Sequence, residues 1–473
     1  MAGKFKITGS AAAWIALALL VVPMFGSYFF DDMFSTVSNI FNDPSALQLG
    51  WGQDEYGKYT SGYSILCIFG GLVLCGMLLD RWSVRITGSI FVGLMVAGAG
   101  MVTWALLSGL PAAQSLNVAW AGCMVFGLGS EIAGVAVTRS IAKWFKGRNM
   151  AFAMGLQLAI ARLGTATAFL LSPVLIQQKV AAVADAAPAV YTLAETARPA
   201  FFGMMLLLVG AIFWAVFVAM DARFDRARLA GSNSAPAEAD QPASSESEQF
   251  RFKDVLKVLG NPNWWLLALL CVFFYSSIVA FKKFTGAILV PRFGVSAGIA
   301  GLMATILPFS TVVFAPLFGL MVDRRGHGTR WMVFGAVLAL AAHLVLAFAP
   351  SGSPFWGYAA MILLGFSYSL VPAALWPSVP KVIPDRMLGT AFALIYWVQN
   401  LGLWGFKRFA GRLLEPTHGS ASAADAAGQL GNSPILNVEL MFLAVCVAAL
   451  VLAFLFAASS RRHPELALDK ANK

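Results

Sequence analysis

The feature that most restricts this chain is a succession of twelve apolar stretches, at 9-31, 57-79, 86-108, 117-140, 150-176, 199-220, 263-286, 297-322, 330-349, 355-380, 387-411 and 436-459. At about 1.5 Å of rise per residue, a hydrocarbon core of about 30 Å takes roughly 20 residues of helix, and each stretch is long enough. Within lipid every main-chain N–H and C=O needs a partner inside the protein, which a helix supplies from its own turns. The composition agrees, with 59% hydrophobic and 12% charged residues, where soluble domains carry about a quarter charged. The first stretch follows Lys4 and Lys6 as a signal peptide would, but it runs on through Gly26-Ser-Tyr-Phe-Phe30 with no small-residue cleavage site. It is therefore expected to be retained. The chain reads as an all-α membrane protein.

The formal charge of +10 acquires meaning once it is placed. Most of the 33 Lys and Arg lie in the N-terminal tail, the even-to-odd loops and the C-terminal tail. Basic residues favour the cytoplasmic side, so both termini are expected there. The charge is a signature of topology, and no nucleic-acid partner is implied. The five cysteines, Cys67, Cys75, Cys123, Cys271 and Cys446, all sit in apolar runs, which argues against a disulfide framework or a metal cluster. No GxxxxGK[ST], HExxH or CxxC motif is present, so neither direct ATP use nor a metal or other cofactor is expected, and nothing points to an enzyme.

Between the sixth and seventh stretches, Gly231 to Ser247 is rich in Ser, Ala, Pro and Glu and too polar to bury a core. It divides the chain into an N-terminal bundle at 1-222, a cytoplasmic linker at 223-262 and a C-terminal bundle at 263-473. Within the linker, Arg251 to Leu259 alternates Lys with Val and Leu at helical spacing and reads as a short interfacial helix. The two halves repeat. Gly76-Met-Leu-Leu-Asp80-Arg81 closes the second stretch, and Gly319-Leu-Met-Val-Asp323-Arg324 closes the eighth. Arg148 leads to Arg162-Leu-Gly164 in the fifth stretch at the spacing at which Arg386 leads to Asn400-Leu-Gly402 in the eleventh. Parallel repeats of this kind, related about the membrane normal, build transporters whose sites lie at the midplane between the halves.

Two charges fall at that depth. Glu131 lies mid-way along the fourth stretch and Arg162 mid-way along the fifth. An ionisable group at the midplane is costly and marks function by default. The two are either a mutually neutralising structural pair or the two halves of a clamp for a polar, charged solute. A zwitterion would offer an ammonium to Glu131 and a carboxylate to the planar fork of Arg162. Asn400 and Gln399 are polar candidates for the same cavity, and Tyr28, Tyr63, Tyr275 and Trp376 offer amphipathic walls. Asp31 and Asp32 end the first stretch and read as solvated. Lys282 and Lys283 either line the outer cavity or snorkel to the interface, with snorkelling expected of at least one, and His343 reads as structural.

With these motifs in view, the chain resembles the major facilitator superfamily over all twelve stretches, through GxxxDR in both halves. It is similar in particular to the branch of the lysosomal dipeptide transporters of animals, through Gly26-Ser-Tyr-Phe29, Gly129-Ser-Glu131, Trp144-Phe-Lys-Gly147, Gly155 to Arg162, Leu375-Trp-Pro377, Leu388-Gly-Thr-Ala391 and Gln399-Asn-Leu-Gly402. The resemblance implies the major facilitator fold, with 12 transmembrane helices as two six-helix bundles around a central cavity. It also implies dipeptide transport by alternating access, with Glu131 and Arg162 holding the peptide termini. Asp80 stands at the C-terminal end of its helix, where the macrodipole disfavours an anion and an outside partner is needed. The resemblance makes Asp80, Arg81, Arg85, Arg139, Asp323 and Arg324 gating residues. The alternatives are a symporter or exporter of another organic solute, proton-coupled or not, and a transport-inactive receptor on the same fold. The expected partners are a small zwitterionic substrate, the lipid bilayer and, for a symporter, protons, with the protein acting as a monomer. The tail from Met1 to Ser10 holds no acidic or dileucine sorting signal, which fits a plasma or bacterial inner membrane.

Overall fold

The apolar stretches become helices in the computed structural model of the protein, which describes residues 10–71, 82–145, 149–177, 190–231, 252–415, 433–466 and 468–470. In the N-terminal half these are α1 (Ser10–Asp32), α2 (Gln53–Leu66), α3 (Val84–Leu107), α4 (Ala112–Trp144), α5 (Met150–Ile176) and α6 (Leu193–Gly231). A short α7 (Phe252–Leu259) precedes the second half, which holds α8 (Pro262–Tyr275), α9 (Thr285–Phe293), α10 (Ala297–Arg325), α11 (Gly328–Phe348), α12 (Pro354–Leu375), α13 (Leu388–Leu414) and α14 (Pro434–Arg462). Local chemistry sets the starts. The Ser83 hydroxyl accepts from Ile86 N–H at the head of α3, Ser296 does the same for Ile299 in α10, and Asn261 caps α8 through Asn263 and Trp264.

Among the described residues ten helices are long and apolar enough to cross a membrane. The second expected span is described only as far as Gly71. The eleventh, α13, is less apolar because it carries Gln399, Asn400, Lys407, Arg408 and Arg412. Polar residues survive in such a helix when they face protein or a cavity in place of lipid, and α13 is an interior helix: Asn400 is 6% and Lys407 2% exposed. Several helices are not regular. After α2 the chain passes into a π-helical turn at Cys67–Gly71, and after α8 into another at Ser276–Ala280. Such wide turns concentrate at functional sites because they free main-chain groups and rotate the side chains that follow.

The N-terminus of α1 and the C-terminus of α14 share one face of the bundle, here the terminal face; the opposite face is distal. The halves meet along two seams, α2 against α13 and α5 against α10. In the first, Gly57 faces Gly411 so closely that a Cβ on Gly57 would stand 2.8 Å from Gly411 Cα. Small residues there let the two backbones touch. On both sides of this point the seam is polar. Lys407 Nζ donates to Thr60 O at 3.0 Å, Tyr56 Oη to Lys283 O at 2.9 Å, Asp54 N to Glu415 Oε2 at 2.8 Å, and Arg408 grips Asp54 with both guanidinium nitrogens. Nearer the centre, Trp397 Nε1 donates to Ile68 O at 2.6 Å. The distal end is closed.

Here the structure corrects the reading of four charges. Asp32 is 0%, Lys283 2% and Lys282 7% exposed; these residues neither sit in solvent nor snorkel. Lys282 Nζ lies 2.8 Å from Asp32 Oδ2, and Lys283 Nζ lies 2.8 Å from Asp32 Oδ1 and 2.7 Å from Asp31 Oδ2. Two acids from α1 and two lysines from the segment between α8 and α9 neutralise each other, which makes burial tolerable. The segment Ser35–Asn42 completes the seal, with Thr285 Oγ1 donating to Ser35 O at 3.0 Å and Ala287 N to Ser38 Oγ at 2.9 Å.

Candidate functional site

Glu131 and Arg162 both lie between the two halves and are partly exposed there, although the helices around them are packed. Their α4 and α5 are neighbours, yet the two side chains form no ion pair within 4.0 Å, nor does Arg162 meet any other carboxylate among the described residues. The mutually neutralising pair weighed from the sequence is therefore not formed.

Each has a different environment. Glu131 Oε1 accepts from Tyr63 Oη at 3.0 Å, and Tyr63 also reaches Ser130 Oγ at 3.2 Å, which is joined to Ser27 Oγ at 2.6 Å. Tyr63 can approach because α4 offers Gly127 against its main-chain carbonyl, a contact that leaves no room for a Cβ. Arg162 is held by aromatic faces. Its guanidinium carbon lies 5.6 Å from the centroid of Tyr28 on α1 and 5.5 Å from that of Tyr368 on α12. A guanidinium between ring faces is steadied by their quadrupoles while its N–H fork stays available to an anion. Tyr28 is within electrostatic reach of both Arg162 and Glu131, so it stands between the basic and the acidic end.

The second half supplies an aromatic wall. Trp376 Nε1 donates to Tyr275 Oη at 2.9 Å, Tyr275 meets Tyr368 edge-on at 6.1 Å, and Trp376 stacks on Tyr396 at 5.2 Å. Tyr275 is the last residue before the π-helical turn of α8, and Trp376 opens a 3-10 turn after Pro372 in α12. Of the eight residues expected to bind substrate, Tyr28, Arg162, Tyr275 and Trp376 are thus linked through Tyr368, and Tyr63 is joined to Glu131. Asn400 and Gln399 contribute less directly. Asn400 Nδ2 donates to Tyr396 O in its own helix at 3.1 Å, and Gln399 Oε1 accepts from Cys271 Sγ at 3.5 Å.

Two residues at the site escaped the sequence reading. Tyr368 carried no signal beyond being one aromatic residue in an apolar stretch. Lys407 did carry one, since it is a lysine inside an apolar span. It is buried, and its ammonium lies 5.5 Å from the Tyr63 ring centroid. The expected gating residues are placed as follows. Asp80 and Arg81 lie outside the described residues. Arg85 approaches Asp221 and Asp225 of α6 at 3.5 and 3.1 Å, where Lys143 and Trp144 also bind Asp221, so its ion pairs stay within the first half. Asp323 and Arg324 are exposed at the terminal face, and Arg139 lies on the terminal half of α4. His343 Nδ1 lies 2.8 Å from Glu439 Oε2 inside the second half, both fully buried; that pair is remote from the clamp residues.

Comparison with known proteins places this geometry. The family model described as Major Facilitator Superfamily matches residues 24–404. The chain is 30% identical over 419 residues to the lysosomal dipeptide transporter MFSD1 of Bos taurus, covering 85% of this chain and 79% of that protein. The same transporter of Homo sapiens is 29% identical over 419 residues, covering 85% of this chain and 80% of that one. Among solved structures, a D-xylose-proton symporter superposes with a TM-score of 0.64 at 13% identity, covering 95% of this chain and 97% of that one. A peptide transporter, POT, superposes with a TM-score of 0.62 at 13% identity, covering 97% and 96%. At these identities the structural likeness concerns the fold.

Proposed function

The chain belongs to the major facilitator superfamily, and on that premise we propose that it carries dipeptides across its membrane by alternating access, gripping the peptide carboxylate with Arg162 and the ammonium with Glu131. That it is a transporter and not an enzyme follows from the family. The observation that carries the finer reading is the separation of the two charges. A cation and an anion held between the halves, only partly exposed and unpaired with each other, are a standing cost, offset when a ligand brings the opposite charge to each. A dipeptide brings both, at opposite ends of a short chain. Tyr28, Tyr368, Tyr275 and Trp376 then offer faces to its side chains without demanding one shape, which suits a carrier of many related peptides. The relatives named as dipeptide transporters support the same substrate class.

The basic loops support cytoplasmic termini; on that reading the closed distal face is the outer one and the site faces inward. Thermal unfolding of the purified protein across a panel of dipeptides, free amino acids, sugars and organic acids tests the substrate class. A ligand that binds only the folded form raises the midpoint, by about 2.7 kcal/mol of stabilisation at a hundred times its dissociation constant. Dipeptides are expected to shift it while sugars do not. Stabilisation by sugars or organic acids with none by dipeptides would remove the reading.

A further inference from the structure

Resting on the dipeptide reading, we propose that Lys407 makes the cavity selective for peptides that carry an acidic side chain. Lys407 lies on α13 with 2% of its surface exposed, and no carboxylate lies within 4.0 Å of its ammonium among the described residues. Its one hydrogen bond goes to a neutral acceptor, Thr60 O at 3.0 Å, and the face of Tyr63 accounts for a second direction at 5.5 Å. An ammonium has three donors, and a buried cation that meets neutral partners alone is incompletely compensated.

The nearby charges do not make up the difference. In the distal knot Asp31 and Asp32 are matched by Lys282 and Lys283. Beyond it, among the described residues between the halves, Glu131 stands against Arg162 and Lys407, one positive charge in excess. A peptide with an uncharged side chain answers Arg162 with its carboxylate and Glu131 with its ammonium, and leaves Lys407 unanswered. A second carboxylate completes the balance. Lys407 is tied to the clamp through Tyr63, whose ring it faces and whose hydroxyl holds Glu131. Beside Thr60, whose carbonyl Lys407 now holds, a small cavity of about 10 Å³, the size of one water, lies against Phe30, Asp31, Tyr59, Cys123, Phe126 and Lys283.

The test compares ligands that differ in charge and hardly in shape. Dissociation constants for Ala-Glu and Glu-Ala are measured against Ala-Gln and Gln-Ala, with Ala-Ala as the reference, on the full-length protein and on Lys407→Met and Lys407→Arg. The wild-type protein is expected to prefer at least one acidic member over its amide by about tenfold, the arginine variant to keep the preference, and the methionine variant to lose it. Equal binding of the acid and amide members by wild type overturns the inference, and that comparison needs no variant to fold. A preference that survives in Lys407→Met overturns it as well. If Ala-Ala binds and the acidic peptides have no advantage, the inference about Lys407 falls alone. If no dipeptide binds, the dipeptide reading falls and takes the inference with it.

Discussion

Lys283 reaches from the second half of the molecule into the first and places its ammonium 2.8 Å from Asp32 Oδ1, with both side chains sealed from solvent. The two residues are 251 positions apart and meet only because the distal ends of the bundles are together. The contact is therefore a property of one state of the carrier. Lys282, on the same short segment, takes the other oxygen of Asp32, so a single carboxylate at the end of α1 compensates two lysines. A group with that arrangement weights the equilibrium between states more than any peripheral ion pair, because its cost on opening is relieved only when water reaches all of its members.

Asp32→Asn is expected to open the distal face. It leaves two buried lysines with Asp31 alone, a penalty of about 3–5 kcal/mol on the closed form, or roughly two to three powers of ten in a two-state ratio. Distances between spin labels at the distal ends of α1 and α9 should lengthen in the variant. A charge-neutral partner change, Lys282→Met in the same chain, should restore part of the wild-type distribution. Distributions that match wild type in Asp32→Asn would show that the knot contributes nothing to closure.

The long helices and the two charges set deep within them were legible because each follows from a rule that acts within one segment. Apolar length sets a span, and a charge deep within a span needs a reason. What escaped depends on neighbours far along the chain. Asp31, Asp32, Lys282 and Lys283 stand at the ends of apolar stretches, where solvation is the ordinary outcome, and nothing local says that the ends will meet. The π-helical turn after Tyr275 has neither Gly nor Pro within it, so it is imposed by packing and not by propensity. Lys407 is a different case. The rule that singled out Glu131 and Arg162 applies to it equally, since Lys407 lies inside the stretch 387-411 as they lie inside theirs.

The seam between α2 and α13 should be sensitive to added volume at a single point. Gly57→Val puts a branched side chain into the main chain of Gly411, and closing costs about 1–3 kcal/mol of overpacking, roughly a five- to hundredfold shift in population. Transport is expected to slow, with the distal ends of α2 and α13 further apart, while Gly93→Val, at a position with nothing within 4 Å of its Cβ, leaves both unchanged. Equal behaviour of the two variants would rule out steric control of closure at this seam.

The pair formed by His343 and Glu439 is expected to serve stability and not transport. It lies wholly within the second half, between the rings of Phe281 and Phe442, and its geometry does not depend on the seam. Glu439→Ala leaves a buried imidazole without its partner and should destabilise by about 3–5 kcal/mol. Replacing both, with His343→Phe and Glu439→Leu together, should recover most of the loss, as apolar substitution of a buried polar pair often does. Peptide affinity of the double variant, measured at a temperature where it is folded, should equal that of wild type. A marked change in affinity would place this pair in the transport machinery.

The clamp itself makes a prediction in which ligand and protein are cut at the same place. Arg162 lies against the rings of Tyr28 and Tyr368 and hydrogen-bonds the latter, and Glu131 takes one phenol hydroxyl; neither touches an opposite charge, so each should lose the same free energy whether its own charge or the matching peptide charge is removed. A C-terminally amidated Ala-Ala is expected to bind wild type at least tenfold more weakly than Ala-Ala does, and Arg162→Ala should bind the two alike. An N-acetylated Ala-Ala should show the same pattern against Glu131→Gln. The crossed combinations should add, since each cap and each substitution then removes a different interaction. If amidation weakens binding to Arg162→Ala as much as to wild type, the peptide carboxylate is held elsewhere. Lys407 would be the first place to look, as the other buried cation beside Tyr63.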